Sequence, residues 1–191
     1  MSILIYAESA EGKFKKVAFE LASYAKAVAQ NTGATVTAVT INAGDVSELG
    51  KYGVDKVLKI NDAKLSGFSA RAYADAIKQA AQKENAQLVL LSSTTDSLYM
   101  APLVAVALQA GFASNVVGLP VSMSPFQVKR NAFSNKAFNI TEINTAVKVL
   151  SLGKNSYGVS ENASSVSEED FSVNISDADL GVKVQATEKT T

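Results

Sequence analysis

Cysteine, histidine and tryptophan occur nowhere in the chain. Without cysteine there is no disulfide, no thiolate metal ligand and no thiol nucleophile. Without histidine the usual general base near neutral pH is missing, together with the commonest protein metal ligand. A Ser-His-Asp triad, a histidine-ligated zinc hydrolase and a histidine-ligated haem are thereby excluded, and only carboxylate or lysine chemistry remains. Aromatic residues make up just 7% of the chain, which argues against a stacking platform for single-stranded nucleic acid. Two phosphate cradles are missing as well, since the glycines form neither G-x-G-x-x-G nor G-x-x-x-x-G-K-[ST]. No segment approaches the ~18 consecutive apolar residues of a membrane helix, so no membrane insertion is expected. The start, Met1-Ser2-Ile3-Leu4-Ile5, enters an apolar run without a basic leader, unlike a signal peptide. A cytoplasmic location, or a mitochondrial matrix in a eukaryote, is the expectation.

What is present suits one globular domain, with or without a tail: 191 residues, 47% of them hydrophobic. The 18 basic and 18 acidic residues balance but are unevenly placed. Residues 159–191 carry seven acids and two lysines, net −5, leaving net +5 on residues 1–158. This reads either as a solvated acidic segment or as one that docks onto something basic. No lysine and arginine block is dense enough for a nucleic-acid stripe.

Hydrophobic periodicity lays out alternating strands and helices. Ile3–Ala7 is a short apolar strand, and Val17, Leu21, Tyr24 and Val28 recur at helix spacing up to Asn31-Thr32-Gly33. Thr35–Ile41 is β-branched and Lys56–Ile60 is a further strand, with one or two helical turns over Val46–Lys51 between them. Ser69 begins a helix with Tyr73, Ile77 and Ala80 or Ala81 on its buried stripe. Leu88–Leu91 has no polar alternate, as expected of a strand covered on both faces, and should be the most buried. A loop, Ser92–Ser97, leads to a helix from about Tyr99 to Ala110. This alternation predicts an α/β fold with a parallel sheet flanked by helices. Beyond Gly111 four strand candidates follow without a helix: Asn115–Val121, Gln127–Ala132, Lys136–Ile140 and Ala146–Leu152. Consecutive strands predict a small appended antiparallel sheet. Residues 159–170 read as loop, and Phe171–Ile175 and Val182–Gln185 as short strands.

Two loops are candidates for ligand contact. The first, Glu8-Ser9-Ala10-Glu11-Gly12-Lys13, has one glycine and two carboxylates that repel phosphate. The second, Ser92-Ser93-Thr94-Thr95-Asp96-Ser97, offers five hydroxyls ahead of a helix. These suit a phosphate or a partner's backbone, but equally the ordinary capping of a helix, and Asp96 disfavours an anion. Lys15-Lys16 and Lys129-Arg130 read as solvated charge.

Several runs resemble the electron transfer flavoprotein alpha subunit. The opening Ile3–Glu8 with Gly12-Lys13-Phe14 is similar to that family's start, and Lys51-Tyr52-Gly53-Val54-Asp55-Lys56-Val57 to its K-Y-G-A-D-K-V run. Leu88–Pro102 resembles its strand, G-A-T loop and L-A-P helix, with Ser92-Ser93 in place of Gly-Ala and Ser97-Leu98-Tyr99 in place of G-R-D. Gly111 through Ser114-Asn115-Val116, Phe133–Ala137 and Lys148–Leu152 resemble G-x-x-S-D-V, Y-A-G-K-A and K-V-I-T-V.

The resemblance covers about residues 3–158 and implies the amino-terminal domain of such a subunit (1–158), with 159–191 completing it or leading onward to an FAD-binding domain. It further implies a beta-subunit partner holding AMP. The assembled flavoprotein would carry electrons from acyl-CoA dehydrogenases of fatty acid beta-oxidation, and from other dehydrogenases, to a quinone oxidoreductase. Its FAD would be bound mainly by the missing domain. In this segment no catalytic, cofactor-binding or metal residue is expected. The change from βα units to closely spaced strands with exposed edges, on a subunit whose surface the FAD domain and beta subunit would cover, predicts a partner-facing surface over residues 111–152, with Phe126, Phe133 and Phe138 either on it or filling the domain's own core. The alternative is a stand-alone nucleotide-binding module of the universal-stress type, whose G-x-x-G-x(9)-G-[ST] signature is absent after Leu88–Leu91.

Overall fold

A computed structural model describes residues 1–182 and 184–186. Among the described residues the chain forms twelve strands and three α-helices. β1 (Ser2–Tyr6) is followed by a two-rung hairpin, β2 (Ser9–Ala10) and β3 (Lys13–Phe14), and then by α1 (Lys16–Thr32). β4 (Thr35–Ile41), β5 (Lys56–Ile60), α2 (Ala70–Lys83), β6 (Leu88–Ser92) and α3 (Thr95–Ala107) complete the alternating part. β7 (Gly111–Val116), β8 (Ser122–Met123), β9 (Phe126–Ala132), β10 (Ala137–Glu142), β11 (Lys148–Leu152) and β12 (Ser167–Asp170) follow.

One sheet contains all of these strands except the β2–β3 hairpin, in the order β10-β9-β7-β11-β6-β1-β4-β5-β12, with β8 on β9. From β7 to β12 the pairing is parallel, and β8, β9 and β10 form its antiparallel wing. The α/β architecture read from the sequence is therefore present, with the antiparallel strands continuing the parallel sheet.

Alternate residues of the central strands feed two cores. Ile3, Ile5, Leu88, Leu90 and Leu150 pack under α1, whereas Leu4, Tyr6, Val89, Leu91 and Val149 pack under α2 and α3. Every residue of β6 is buried between β1 and β11, as the unbroken apolar run of Leu88–Leu91 requires. Two helix-like segments end where the sequence supplies glycine: Gly33 and Gly53 take φ of 67° and 90°, a left-handed region that costs other residues a Cβ clash.

Several expectations are corrected. β7 begins at Gly111, not Asn115, and both β7 and β11 lie parallel inside the main sheet. Long crossovers separate them from their neighbours, so short spacing in sequence does not set their partners. α3 starts at Thr95 rather than Tyr99, because Thr94 caps it and its side chain accepts the Ser97 amide. The polar stretch after β1 folds into the β2–β3 hairpin, turning through Glu11 and Gly12 at φ of 52° and 75°. Within 159–170, Ser167–Asp170 is a strand paired with β5. Phe171–Ile175 is irregular, although Phe171, Val173 and Ile175 pack on the α2 core. Val182, Val184 and Gln185 lie outside any strand, and Lys183 lies outside the described residues.

The charge asymmetry has an internal explanation. Glu168 and Asp170 meet Lys59, Glu169 meets Lys56 and Lys83, Asp177 meets Lys64, and Asp179 meets Arg71, at 2.7 to 3.8 Å. The acidic segment docks onto the basic edge of its own domain. Among the described residues no helix is long and apolar enough to cross a membrane.

Candidate functional site

The chain leaves β1 towards β4 and β5 on one side, then crosses back through α2 to β6 on the other. The carboxyl ends of β1 and β6 therefore flank the point where strand order reverses, the place where open α/β sheets form ligand crevices. A crevice of about 360 Å³ lies there, lined by Glu8, Lys15, Lys16, Val17, Thr94, Thr95, Asp96 and Lys154.

Glu8 follows β1 and is only 3% exposed. Its carbonyl accepts the Lys15 amide at 3.0 Å, so the intervening hairpin folds outward and leaves the side chain beneath the crevice. Its Oε1 accepts from the Thr94 hydroxyl at 3.1 Å and from Lys15 Nζ at 3.2 Å, while the buried Oε2 has no partner. Opposite stands the amino end of α1, where Lys15 provides no side-chain cap and the first turn contains no acid. The amino end of α3 differs: Thr94 caps it and Asp96 occupies its first turn.

The hydroxyl-rich loop is largely occupied by its own structure. Ser92 donates to the Val17 carbonyl at 3.2 Å, Ser93 lies 3.1 Å from the Ser151 hydroxyl, and Ser97 lies 3.2 Å from Thr94. Of the five hydroxyls only that of Thr95 is exposed. Thr94 caps α3 while Ser92 and Ser93 tie the loop to α1 and β11, and the residue that reading the sequence missed is Glu8. Its signal was available, since an acid directly after a buried parallel strand enters the sheet's carboxyl end. Lys15-Lys16 is divided between an ion pair and solvent. Of the second basic pair, Lys129 covers the Phe138 ring at 3.9 Å and Arg130 donates to Ser114 at 3.1 Å.

Burial, reinforced by Tyr73, Glu8 and Asp96, pushes the Tyr6 phenol well above its ordinary range, and burial with Asp96 pushes Tyr73 up as well. Among the described residues no three acidic side chains gather as metal ligands.

A second surface lies on the antiparallel wing. Phe126 is buried in the α1 core, but Phe133 and Phe138 are 78% and 62% exposed, with Ile140, Val121 and Met123 also exposed. α3 likewise carries Leu98, Tyr99, Leu103 and Val106 on its open side. Exposed large apolar groups on this scale mark interaction surfaces.

The family model described as the electron transfer flavoprotein domain matches residues 3–176. The electron transfer flavoprotein subunit alpha of Bacillus subtilis is 25% identical over 190 residues, covering 99% of this chain and 58% of that protein. That of Thermoanaerobacterium thermosaccharolyticum is 31% identical over 122 residues, or 62% of this chain and 37% of the relative. The acryloyl-CoA reductase electron transfer subunit beta of Anaerotignum propionicum is 25% identical over 127 residues, or 65% and 35%. The chain thus matches between about a third and three fifths of the length of these relatives.

Proposed function

The chain belongs to the electron transfer flavoprotein domain family, and we propose that it is the amino-terminal, subunit-docking domain of an alpha subunit in a flavin-dependent electron carrier. The supporting observation is a match running from β1 to beyond β12, on a fold that leaves Phe133, Phe138 and Ile140 of one wing uncovered. In this reading the partner is an electron transfer flavoprotein beta subunit, which holds AMP. The assembled protein takes electrons from acyl-CoA and other dehydrogenases and passes them towards a quinone oxidoreductase. The name of the Anaerotignum relative, an acryloyl-CoA reductase electron transfer subunit, fits a family serving more than one donor or acceptor.

FAD belongs elsewhere in the assembled carrier. The loop after β1 does not fit a dinucleotide: it is a closed hairpin with Glu8 and Glu11 where a glycine-rich cradle would present amides to a pyrophosphate. In this reading the domain serves as a scaffold and not as a catalyst. A universal-stress-type nucleotide module is disfavoured because the serine and threonine hydroxyls after β6 already bond within the fold.

Amide hydrogen exchange, measured with and without the cognate beta subunit, tests the proposal. New protection is expected between Gly111 and Leu152, with little change in α2. Protection confined to α2, or no association under conditions where a full-length alpha subunit associates, overturns it.

A further inference from the structure

We propose that the open edge of β10 pairs with β10 of a second copy of this chain, antiparallel about a twofold axis at Ile140, joining the two sheets into one. This goes beyond beta-subunit docking and is read from this chain alone.

The two edges of the sheet are built differently. β12 is a four-residue strand of serine and acids, and Lys56, Lys59 and Lys83 hold its carboxylates. Shortness and charge are what keep an edge strand from pairing. β10 has neither protection. It runs six residues in unbroken register with β9, contains no lysine or proline, and carries Phe138 and Ile140 at 62% and 51% exposure. Among the described residues no strand pairs with its outer side.

The ladder fixes which backbone groups face outward. Ile143 donates its amide to the Phe126 carbonyl at 2.9 Å, in line with the β9–β10 register. Hydrogen-bonded pairs alternate along an antiparallel ladder. Ala137, Asn139 and Thr141 therefore bond to β9, while the amides and carbonyls of Phe138, Ile140 and Glu142 point away from it. The Gln127 and Lys129 carbonyls of β9 agree, since they turn to the Val121 and Val117 amides on the opposite side. A row of free donors and acceptors at alternate residues is completed by an extended strand.

Charge complementarity selects a second copy as that strand. The antiparallel register centred on Ile140 engages all three outward residues of both chains. Ile140 then faces the other copy's Ile140, and Glu142 faces the other copy's Phe138. Directly opposed residues share one face of a sheet. Lys129 stands over the Phe138 ring at 3.9 Å, so Glu142 of each copy meets the ammonium of the other, twice in the dimer. The exposed isoleucines close against each other on the axis.

Sedimentation velocity of the full chain, with no beta subunit present, tests this. A dimer is expected by about 100 µM chain. Ile140→Lys sets two ammonium groups against each other on the axis and should leave a monomer. Glu142→Lys and Lys129→Glu should each weaken the dimer about tenfold, because the twofold axis makes every change count twice. Combining the two should restore most of the affinity. All three positions lie outside the buried core, so thermal melts should stay close to that of the parent. A parent that remains monomeric, a dimer that survives Ile140→Lys, or a charge exchange that fails to restore association overturns the proposal. None of these results bears on binding of a beta subunit, which is absent from the experiment.

Discussion

Glu20 Oε1 accepts the backbone amide of Tyr157 at 2.9 Å, across 137 residues of sequence. The same oxygen takes the Gly158 amide at 3.0 Å, and Oε2 takes that of Asn155 at 2.9 Å. Three residues further along α1, the Ser23 hydroxyl meets both the amide and the carbonyl of Ser160 at 3.1 Å. A carboxylate on the buried side of α1 thus anchors the turn by which the chain leaves the sheet after β11. Burial alone would raise the Glu20 pKa, but the amides of Gly158, Tyr157 and Asn155 outweigh it and hold the carboxyl below its ordinary value. A lowered folded-state pKa contributes stability above the unfolded value, and that contribution is lost as pH falls through the folded one. Melting temperature should therefore decline below about pH 4.5. Glu20→Ala should cost about 2 kcal/mol at neutral pH by leaving amides unpaired, and should flatten that acid limb. A limb of unchanged steepness in the variant contradicts the assignment.

The central strand offers a harsher test. Leu90 is 1% exposed, between β1 and β11. Leu90→Asp places an unpaired charge there and should lower the unfolding free energy by about 3–5 kcal/mol, or abolish folding. Urea denaturation followed by far-ultraviolet dichroism measures it, and a midpoint close to that of the parent rejects the central placement.

What the sequence disclosed follows a physical line. Leu88–Leu91, the α1 stripe and the stops at Gly33 and Gly53 were legible because each depends on residues near in sequence. Lys148–Leu152 is interrupted by Ser151, yet Val149 to Leu152 are all buried, Val149 in the core under α2 and α3 and Leu150 and Leu152 in that under α1. Only the assumption that neighbouring strands pair concealed its parallel position. Ser167–Asp170 was not legible at all, because its residues have poor strand propensity. It is a strand because Lys56 and Lys59 face its carboxylates and β5 offers an open edge. Glu8 was visible as an acid in the first loop, but its half-satisfied carboxylate depends on Thr94, 86 residues away.

The acidic edge predicts a salt effect. Lys56 contacts Glu84 and Glu169 at 2.8 Å each, and Lys83 contacts Glu169 at 2.7 Å. Hydrogen bonds from Lys56 and Lys83 lower the Glu169 pKa to about 2. These pairs are open to solvent and screened by salt. Exchange of the Ser167 and Phe171 amides, which bond to Asp55 and Lys59 carbonyls at 3.0 and 2.8 Å, should accelerate between low and high ionic strength. Exchange in β6 should not. Equal acceleration in both strands contradicts a locally held β12.

Gly111 opens β7 where its amide donates to Thr145 Oγ1 at 2.7 Å. A Cβ there would press on the Ile143 side chain and lie 2.9 Å from Thr145 Oγ1. Gly111→Ala should destabilise by about 1–3 kcal/mol through this overpacking, measured by urea titration. A neutral or stabilising result shows that the segment at Ile143–Thr145 yields freely.

The hairpin tip between β9 and β10 distinguishes docking from stability. Phe133, Ser134 and Asn135 have φ of 50°, 51° and 63° in succession, a left-handed conformation that bulky residues adopt only at a cost. Phe133 contributes little to the fold in return, since it is 78% exposed with its ring near Lys136 Nζ. Locally strained residues of this kind collect at functional surfaces. Phe133→Gly relieves the strain but enlarges the entropy of the unfolded chain. The net effect should lie between neutral and about 1 kcal/mol of added stability. If the wing docks a beta subunit, the same change should weaken association by about tenfold, as should Phe138→Ser, because exposed aromatics anchor interfaces. Thermal melts and a binding titration on the two variants separate the effects. Unchanged affinity in both, with the fold intact, removes the wing from the interface and leaves the open face of α3, with Leu98, Tyr99 and Val106, as the surface to test next.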